Sequence, residues 1–250
     1  TLGFKGHADS GMPGSRIPYR WPGASAPAVF ISGPPLAMIQ RDDLSRTELR
    51  RLLRQRRRQL TPLEQRRAAR DLYRQLSHHP LFRRARHVAL YLANDGEIDP
   101  ALLLREAQRR GKATYLPVLN PWPRTRMVFQ RLRKGEKLRP NRFGIPEPHF
   151  CRARQRKAWT LDLICLPLVG FDERGGRLGM GGGFYDRSLA YLDLRKNWHK
   201  PTLMGMAHQC QQVDHLALAS WDVPLQATVT DRGWYCAEAG RAGPETAQRA

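Results

Sequence analysis

The spacing of apolar and polar residues changes several times along this chain, and each change predicts an element. From about Ser45 the apolar positions Leu49, Leu52, Leu53 and Leu60 recur at helical spacing, with Arg46, Arg50, Arg54 and Arg57 around them, which predicts an amphipathic helix. "TPLE" at 61–64 reads as a capping box with Pro62 at the first helical position, opening a second helix through Leu76. The run "HVALYL" (87–92) predicts a strand, and Asp99-Pro100 opens a helix that stops at Gly111. "ATYLPVL" (113–119) and "MVFQRL" (127–132) predict two more strands. "LDLICLPLV" (161–169) is apolar almost throughout, the pattern of a strand buried on both faces. A glycine-rich loop, a helix from Phe184 to about Leu194, and the strands "TLMGMA" (202–207) and "ATVT" (227–230) complete the series.

Strands alternating with helices predict an α/β fold in three layers, a largely parallel sheet with helices on both faces, in a single domain over 38–236. Ligands in such sheets bind beyond the carboxyl ends of the strands, and the glycine loop falls there, between a buried strand and a helix. Residues 1–37 are dense in Gly, Pro, Ser and Ala and show neither period, so a disordered or non-native leader is expected, with the natural start near Met38. Residues 237–250 are expected to be a flexible tail.

Composition narrows the partners. Lys and Arg number 43 against 22 Asp and Glu, a net charge of +21, which predicts polyanionic company: nucleic acid, nucleotide phosphates or a polyacidic small molecule. Apolar residues make up 41%, enough for a core, yet no apolar run approaches the roughly 18 residues needed to cross a bilayer. A soluble protein with no membrane partner is the reading. Cys151, Cys165, Cys210 and Cys236 form no C-x-x-C pair, which argues against a zinc knuckle or a redox dithiol and for a reducing cytoplasm.

Six of the nine residues from Gly175 to Gly183 are glycine. Strand, glycine loop and helix in succession can hold phosphate, because bare backbone lets several N–H groups converge and the helix dipole favours an anion. Neither G-x-x-x-x-G-K-[ST] nor G-x-G-x-x-G fits, and a tight strand-to-helix turn competes on the pattern alone. Asp186 follows the loop where a Mg²⁺ ligand beside phosphates belongs, although a helix-start aspartate favoured by the dipole would sit there too.

"DLICLPLVGFDERGGRLGMGGGFYDR" closely resembles the signature of the 5-formyltetrahydrofolate cyclo-ligase (methenyltetrahydrofolate synthetase) family, whose core reads R-L-G-x-G-x-G-[YF]-Y-D. "LRRLLRQRRRQLTPLE", "YLANDGEID", "YLPVL", "FGIPEP" and "WDVPLQATVT" fall in family order, so the resemblance covers roughly residues 45 to 232. It implies an ATP-dependent ligase that converts 5-formyltetrahydrofolate to 5,10-methenyltetrahydrofolate with Mg²⁺, through phosphorylation of the formyl oxygen, releasing ADP and phosphate.

The resemblance also implies roles. ATP would be held by Arg177, Leu178, Gly179, Met180, Gly181, Gly182, Gly183, Phe184 and Tyr185, and by Arg46 and Arg50, one turn apart on the first helix. Arg46 stands where the family has a lysine. The metal ligands would be Asp186 and Asp222. Leu92, Glu97, Phe143, Phe184 and Tyr185 would bind the folate, whose polyglutamate tail is left open. Some members carry a basic residue in place of Met180 and a lysine in place of Gly182, so Arg177 and Arg187 become candidates to supply the missing charge.

The other arginines of the first helix are expected on a solvated face, and His87, His208 and the cysteines in structural roles. A competing reading is an RNA-binding protein that uses the arginine stripe from Arg46 to Arg74 against phosphates, with RNA binding as a secondary activity beside catalysis.

Overall fold

The computed structural model describes residues 44–192 and 201–236; the leader expected over 1–37, the start at Met38 and the tail over 237–250 lie outside them. Helices α1 (Arg46–Arg58) and α2 (Pro62–Ser77) both start in capping boxes. Ser45 Oγ accepts from the Glu48 N–H at 3.3 Å while the Glu48 carboxylate accepts from the Ser45 N–H at 2.9 Å, and Thr61 and Glu64 repeat the exchange. Each box satisfies two backbone donors that a helix start otherwise leaves unpaired.

Helix α3 (Pro80–Arg84) leads into β1 (His87–Ala89), and α4 (Ala101–Arg109) into β2 (Ala113–Leu119) and β3 (Met127–Arg131). A small hairpin of β4 (Leu138–Pro140) and β5 (Pro146–Pro148) precedes β6 (Gln155–Arg156) and β7 (Leu163–Pro167). A second hairpin, β8 (Gly170–Phe171) with β9 (Arg177–Leu178), comes before α5 (Phe184–Leu189). The chain closes with β10 (Thr202–Met206), β11 (Ala227–Val229) and β12 (Trp234–Cys236).

Eight strands form one sheet in the order β12-β11-β10-β7-β1-β2-β3-β6. The five from β11 to β2 are parallel, while β12 closes one edge and β3 and β6 the other in antiparallel fashion. The chain therefore steps from β1 out to β2, returns past β1 to β7, and winds on in the opposite direction. Such a reversal leaves a crevice beyond the carboxyl ends of β1 and β7, where open α/β sheets bind ligands. The loop carrying Glu97 leaves β1 there, and the segment carrying the glycine run leaves β7.

The apolar run 161–169 places β7 at the centre, buried on both faces as its pattern predicts. Successive side chains point to opposite faces of a strand. Leu163 and Cys165 join Leu72, Leu76, Leu103 and Ala107 under α2 and α4, whereas Ile164 and Leu166 join Leu189, Val223 and Leu225 on the α5 side. The three-layer, mostly parallel α/β architecture is thus the one expected.

Helix α1 belongs to neither layer. Its Leu53 packs with Val169 and Leu178 near the crevice, and Gly170 makes this approach possible, since a Cβ there would lie 2.5 Å from Leu53 Cδ1.

Three local expectations change. The glycine run does not pass directly from buried strand to helix, because the β8–β9 hairpin intervenes. Asp172 closes that hairpin by accepting from the Arg174 and Gly176 N–H groups at 3.0 and 2.7 Å, so the first glycines serve a turn and only 179–183 form the loop. The helix expected to about Leu194 is α-helical only to Leu189, then tightens to a 3₁₀ turn over Ala190–Leu192, and residues 193 and 194 lie outside the described part. Strands β4, β5, β6 and β12 are two or three residues long, too short for alternation to register in sequence. Among the described residues no helix is long and apolar enough to cross a membrane, and the four cysteines are free thiols.

Candidate active site

A cleft of about 540 Å³ opens between α1, the glycine loop, the start of α5 and the Trp221-Asp222 segment. Gly179, Gly181 and Gly183 line it with backbone, Asp186 and Asp222 with carboxylates, and Arg46, Arg50 and Arg187 with cations. Residues from both ends of the chain converge here because α1 lies across the sheet's carboxyl edge. Seven of the residues assigned above to nucleotide or metal meet in this one cavity.

Arg50 ties α1 to the loop, its Nε donating to the Gly179 carbonyl at 2.8 Å. Burial, and then the charge of Arg46 one turn away, push the Arg50 pKa down. A cation disfavoured by its surroundings gains most when an anion arrives. Arg46 grips Asp222 with bonds of 2.7 and 3.2 Å, and Asp222 also accepts from the Ala219 N–H at 2.9 Å.

Arg177 behaves differently from the expectation that it supplies charge to the loop. It is 4% exposed and does not line the cleft; its Nε donates to the Val223 carbonyl at 2.9 Å and a terminal nitrogen to the Asp186 carboxylate. Arg187 does reach the cleft, with its guanidinium anchored on the Gly182 carbonyl at 2.5 Å and the Thr125 carbonyl at 2.8 Å. Arg46, Arg50 and Arg187 are thus the cations that line the cleft, and Arg177 is not among them.

Two carboxylates on one cleft beside bare backbone suit a hard divalent cation that takes one or two carboxylates and fills its remaining positions from phosphates and water. No group of three or more His, Cys, Asp or Glu that could hold a metal ion occurs among the described residues.

Glu97, 10% exposed, stands on the loop that leaves β1. Asp95 and Gly96 turn the loop with φ of +53° and +75°, a conformation glycine adopts without strain. The turn sets the Glu97 carboxylate to accept from the Asn94 N–H at 3.1 Å. Burial lifts the Glu97 carboxyl to about 7 against the opposing pull of Arg57. Tyr185 is close enough that burial and the charge of Glu97 both raise its phenol. Leu92, half-buried, packs against the neighbouring core.

Phe143, 52% exposed, meets Phe184 edge to face at 5.8 Å, and Arg142 lies over both rings. The structure thus brings Phe143 and Phe184 together, and Glu97 and Tyr185 together. Leu178 is core, 1% exposed, and Met180 is exposed with its sulfur against Arg57.

Sequence reasoning missed Arg57. Expected on a solvated face, it is completely buried, and with Arg54 and Arg58 it holds Asp95. Burial raises the Asp95 carboxyl, but hydrogen bonds from Arg54, Arg58 and Arg57 outweigh it and bring the value to about 2. The available signal was spacing: positions 46, 50, 53 and 57 form one helical stripe, so Arg57 shares a face with buried Leu53.

A doubly wound sheet with such a cleft at its switch point is the frame of an α/β enzyme. The sequence model of the 5-formyltetrahydrofolate cyclo-ligase family matches residues 42–231, and the chain belongs to that family of ligases. The chain is 40% identical over 181 residues to the 5-formyltetrahydrofolate cyclo-ligase of Escherichia coli strain K12, covering 72% of this chain and 96% of that protein. Its counterpart in Haemophilus influenzae is 38% identical over 182 residues, covering 72% and 92%. The NMR structure of Aquifex aeolicus 5,10-methenyltetrahydrofolate synthetase superposes with a TM-score of 0.67 at 28% identity, covering 83% of this chain and all of that one. Family, enzyme class and fold all stand as the sequence implied.

Proposed function

We propose that the protein converts 5-formyltetrahydrofolate to 5,10-methenyltetrahydrofolate, consuming ATP with Mg²⁺ and releasing ADP and phosphate. The observation that carries this reading is the cleft lined by arginines, carboxylates and glycine backbone, with Met180 of its loop and buried Glu97 both within 4.0 Å of the Arg57 guanidinium. The names of the relatives supply the substrate.

A formyl group on nitrogen is an amide, with a poor leaving oxygen. Passing the γ-phosphoryl of ATP to that oxygen turns it into a phosphate ester and leaves ADP. N10 of the folate then attacks the carbon, the carbon–oxygen bond breaks, phosphate departs with its electron pair, and N10 loses its proton. Phosphoryl transfer asks the protein for positioning and charge neutralisation.

Gly179, Gly181 and Gly183 let the chain approach the phosphates, and Arg46, Arg50 and Arg187 balance their charge. Mg²⁺ held by Asp186 and Asp222 would add neutralisation at the same place. Arg177, from beneath, holds the Asp186 carboxylate in position. Glu97 accepts from the donor edge of the pterin, and Phe143, Phe184 and Tyr185 wall the ring.

RNA binding through the arginine stripe is the weaker reading, because Arg46, Arg50, Arg54, Arg57 and Arg58 already bond within the chain. Free thiols at all four cysteines support the cytoplasm as the working compartment. Purified protein with Mg-ATP and 5-formyltetrahydrofolate should generate the near-ultraviolet absorbance of the methenyl product together with ADP. Neither signal appearing would overturn the proposal.

A further inference from the structure

Three segments of the crevice meet at one buried guanidinium. Arg57 Nε donates to the Asp95 carbonyl at 2.8 Å, one terminal nitrogen donates to the Leu168 carbonyl at 3.0 Å, and the other to the Asp95 carboxylate at 2.8 Å. This last nitrogen also lies 3.7 Å from Met180 Sδ and 4.0 Å from Glu97 Oε1. Asp95 and Glu97 belong to the loop after β1, Leu168 to the exit of β7, and Met180 to the glycine loop. Seven residues earlier on the same face of α1, Arg50 holds Gly179 of that loop.

A guanidinium is a planar, rigid fork, so its partners are held in one relative arrangement, unlike those of a flexible ammonium. Close packing reinforces the constraint: a Cβ added at Gly96 would lie 3.4 Å from the Arg57 carbonyl oxygen, so the loop after β1 rests directly on the helix.

We propose that Arg57 is a positioning residue that couples the glycine loop to the pocket around Glu97, so that settling the loop on a nucleotide also sets the Glu97 loop for the folate. The inference rests on the functional reading above and goes beyond it, since that reading requires two sites but no linkage between them. Linkage is reciprocal, so each ligand tightens the other by the same factor.

The test is calorimetric titration of the intact protein with a non-hydrolysable ATP analogue plus Mg²⁺, with 5-formyltetrahydrofolate, and with each in the presence of the other. Wild type is expected to show mutual tightening of about fivefold or more, in the range common for coupled sites. Arg57→Lys, which keeps the charge and loses the fork, is expected to reduce it below about twofold. Met180→Leu, at an exposed position, removes only the sulfur contact; it is expected to weaken the coupling and supplies the result should the buried variant fail to fold.

Charge gives a separate readout. Around Glu97 stand Arg57 from α1, Asp95 in its own loop, Tyr91 beyond β1 and Tyr185 on α5. Arg57→Met removes the cation among these groups and is expected to move the pH midpoint of folate binding upward, whereas Arg57→Lys keeps it near wild type.

Wild type without coupling, or coupling unchanged in both Arg57→Lys and Met180→Leu, overturns the linkage while wild-type turnover leaves the enzymatic reading standing. Wild type without turnover or folate binding overturns both together.

Discussion

Arg46 holds both carboxylate oxygens of Asp222, at 2.7 and 3.2 Å, and so joins the first helix to the segment that leads into β11. The second cleft carboxylate is held in parallel fashion, Asp186 by Arg177. The two pairs differ in access. Arg46 is 35% exposed and can turn toward an anion without opening the core, whereas Arg177 is 4% exposed and committed to its place. One arginine is available to ligand and the other is scaffold.

That difference predicts separable effects at Asp222. Asp222→Asn keeps an acceptor for Arg46 while removing the negative charge. We expect the Mg²⁺ requirement to rise at least about tenfold and turnover to fall, with the unfolding midpoint little changed, because the amide oxygen still accepts from Arg46 and Ala219 and leaves no buried donor unpaired. An unaltered Mg²⁺ titration of turnover would remove Asp222 from the metal site.

At Asp186 the choice of substitution decides what is measured. Asp186→Ala leaves the buried Arg177 cation without its carboxylate and is expected to cost about 3 kcal/mol of stability. Asp186→Asn still offers an oxygen to Arg177 and should melt closer to wild type. Both variants should lose about a hundredfold or more in turnover. Wild-type turnover of Asp186→Asn at limiting Mg²⁺ would remove Asp186 from the chemistry.

The Glu97 carboxyl, lifted from 4.5 to about 7 by burial, gives a pH signature. Between those values the folded protein binds the extra proton, so this group's contribution to stability declines as pH rises from about 4.5 to about 7 and is constant above. Ligand binding runs the other way, since the ionised form accepts the pterin N–H groups. Affinity for 5-formyltetrahydrofolate should rise roughly tenfold per pH unit below the Glu97 pKa and level off above it. In Glu97→Gln that dependence should disappear; its persistence would assign the proton elsewhere.

Gly170→Ala tests the seat of α1. The new methyl would fall 2.5 Å from Leu53 Cδ1, so the buried Leu53 side chain must repack, and the helix that carries it shifts where repacking finds no room. Overpacking of this kind costs about 1–3 kcal/mol, and because α1 carries Arg46, Arg50 and Arg57, the KM for ATP should rise as well. Chemical denaturation and steady-state kinetics read the two effects, and an unchanged KM would show that the helix seat does not govern the cleft.

Residues read without the fold already point to the layered α/β architecture, the buried run 161–169, the capping box at Thr61–Glu64 and the family. Those features depend on local periodicity, on residues three or four apart, or on a contiguous motif, all of which survive without knowledge of the fold. The sequence also named most of the cleft, because the motif "RLGMGGGFYDR" is continuous.

Which charges face the cleft and which hold it together is settled by contacts between distant segments. Arg177 and Arg187 flank the same loop and look alike in sequence, yet one is buried beneath Asp186 and the other opens onto the cavity. Arg57 reads as one more surface arginine in a basic helix, and becomes the shared anchor of three loops because Asp95, Leu168 and Met180 reach it across 38, 111 and 123 residues of chain. Burial of a cation depends on partners assembled from distant segments, and no local pattern records where those partners converge.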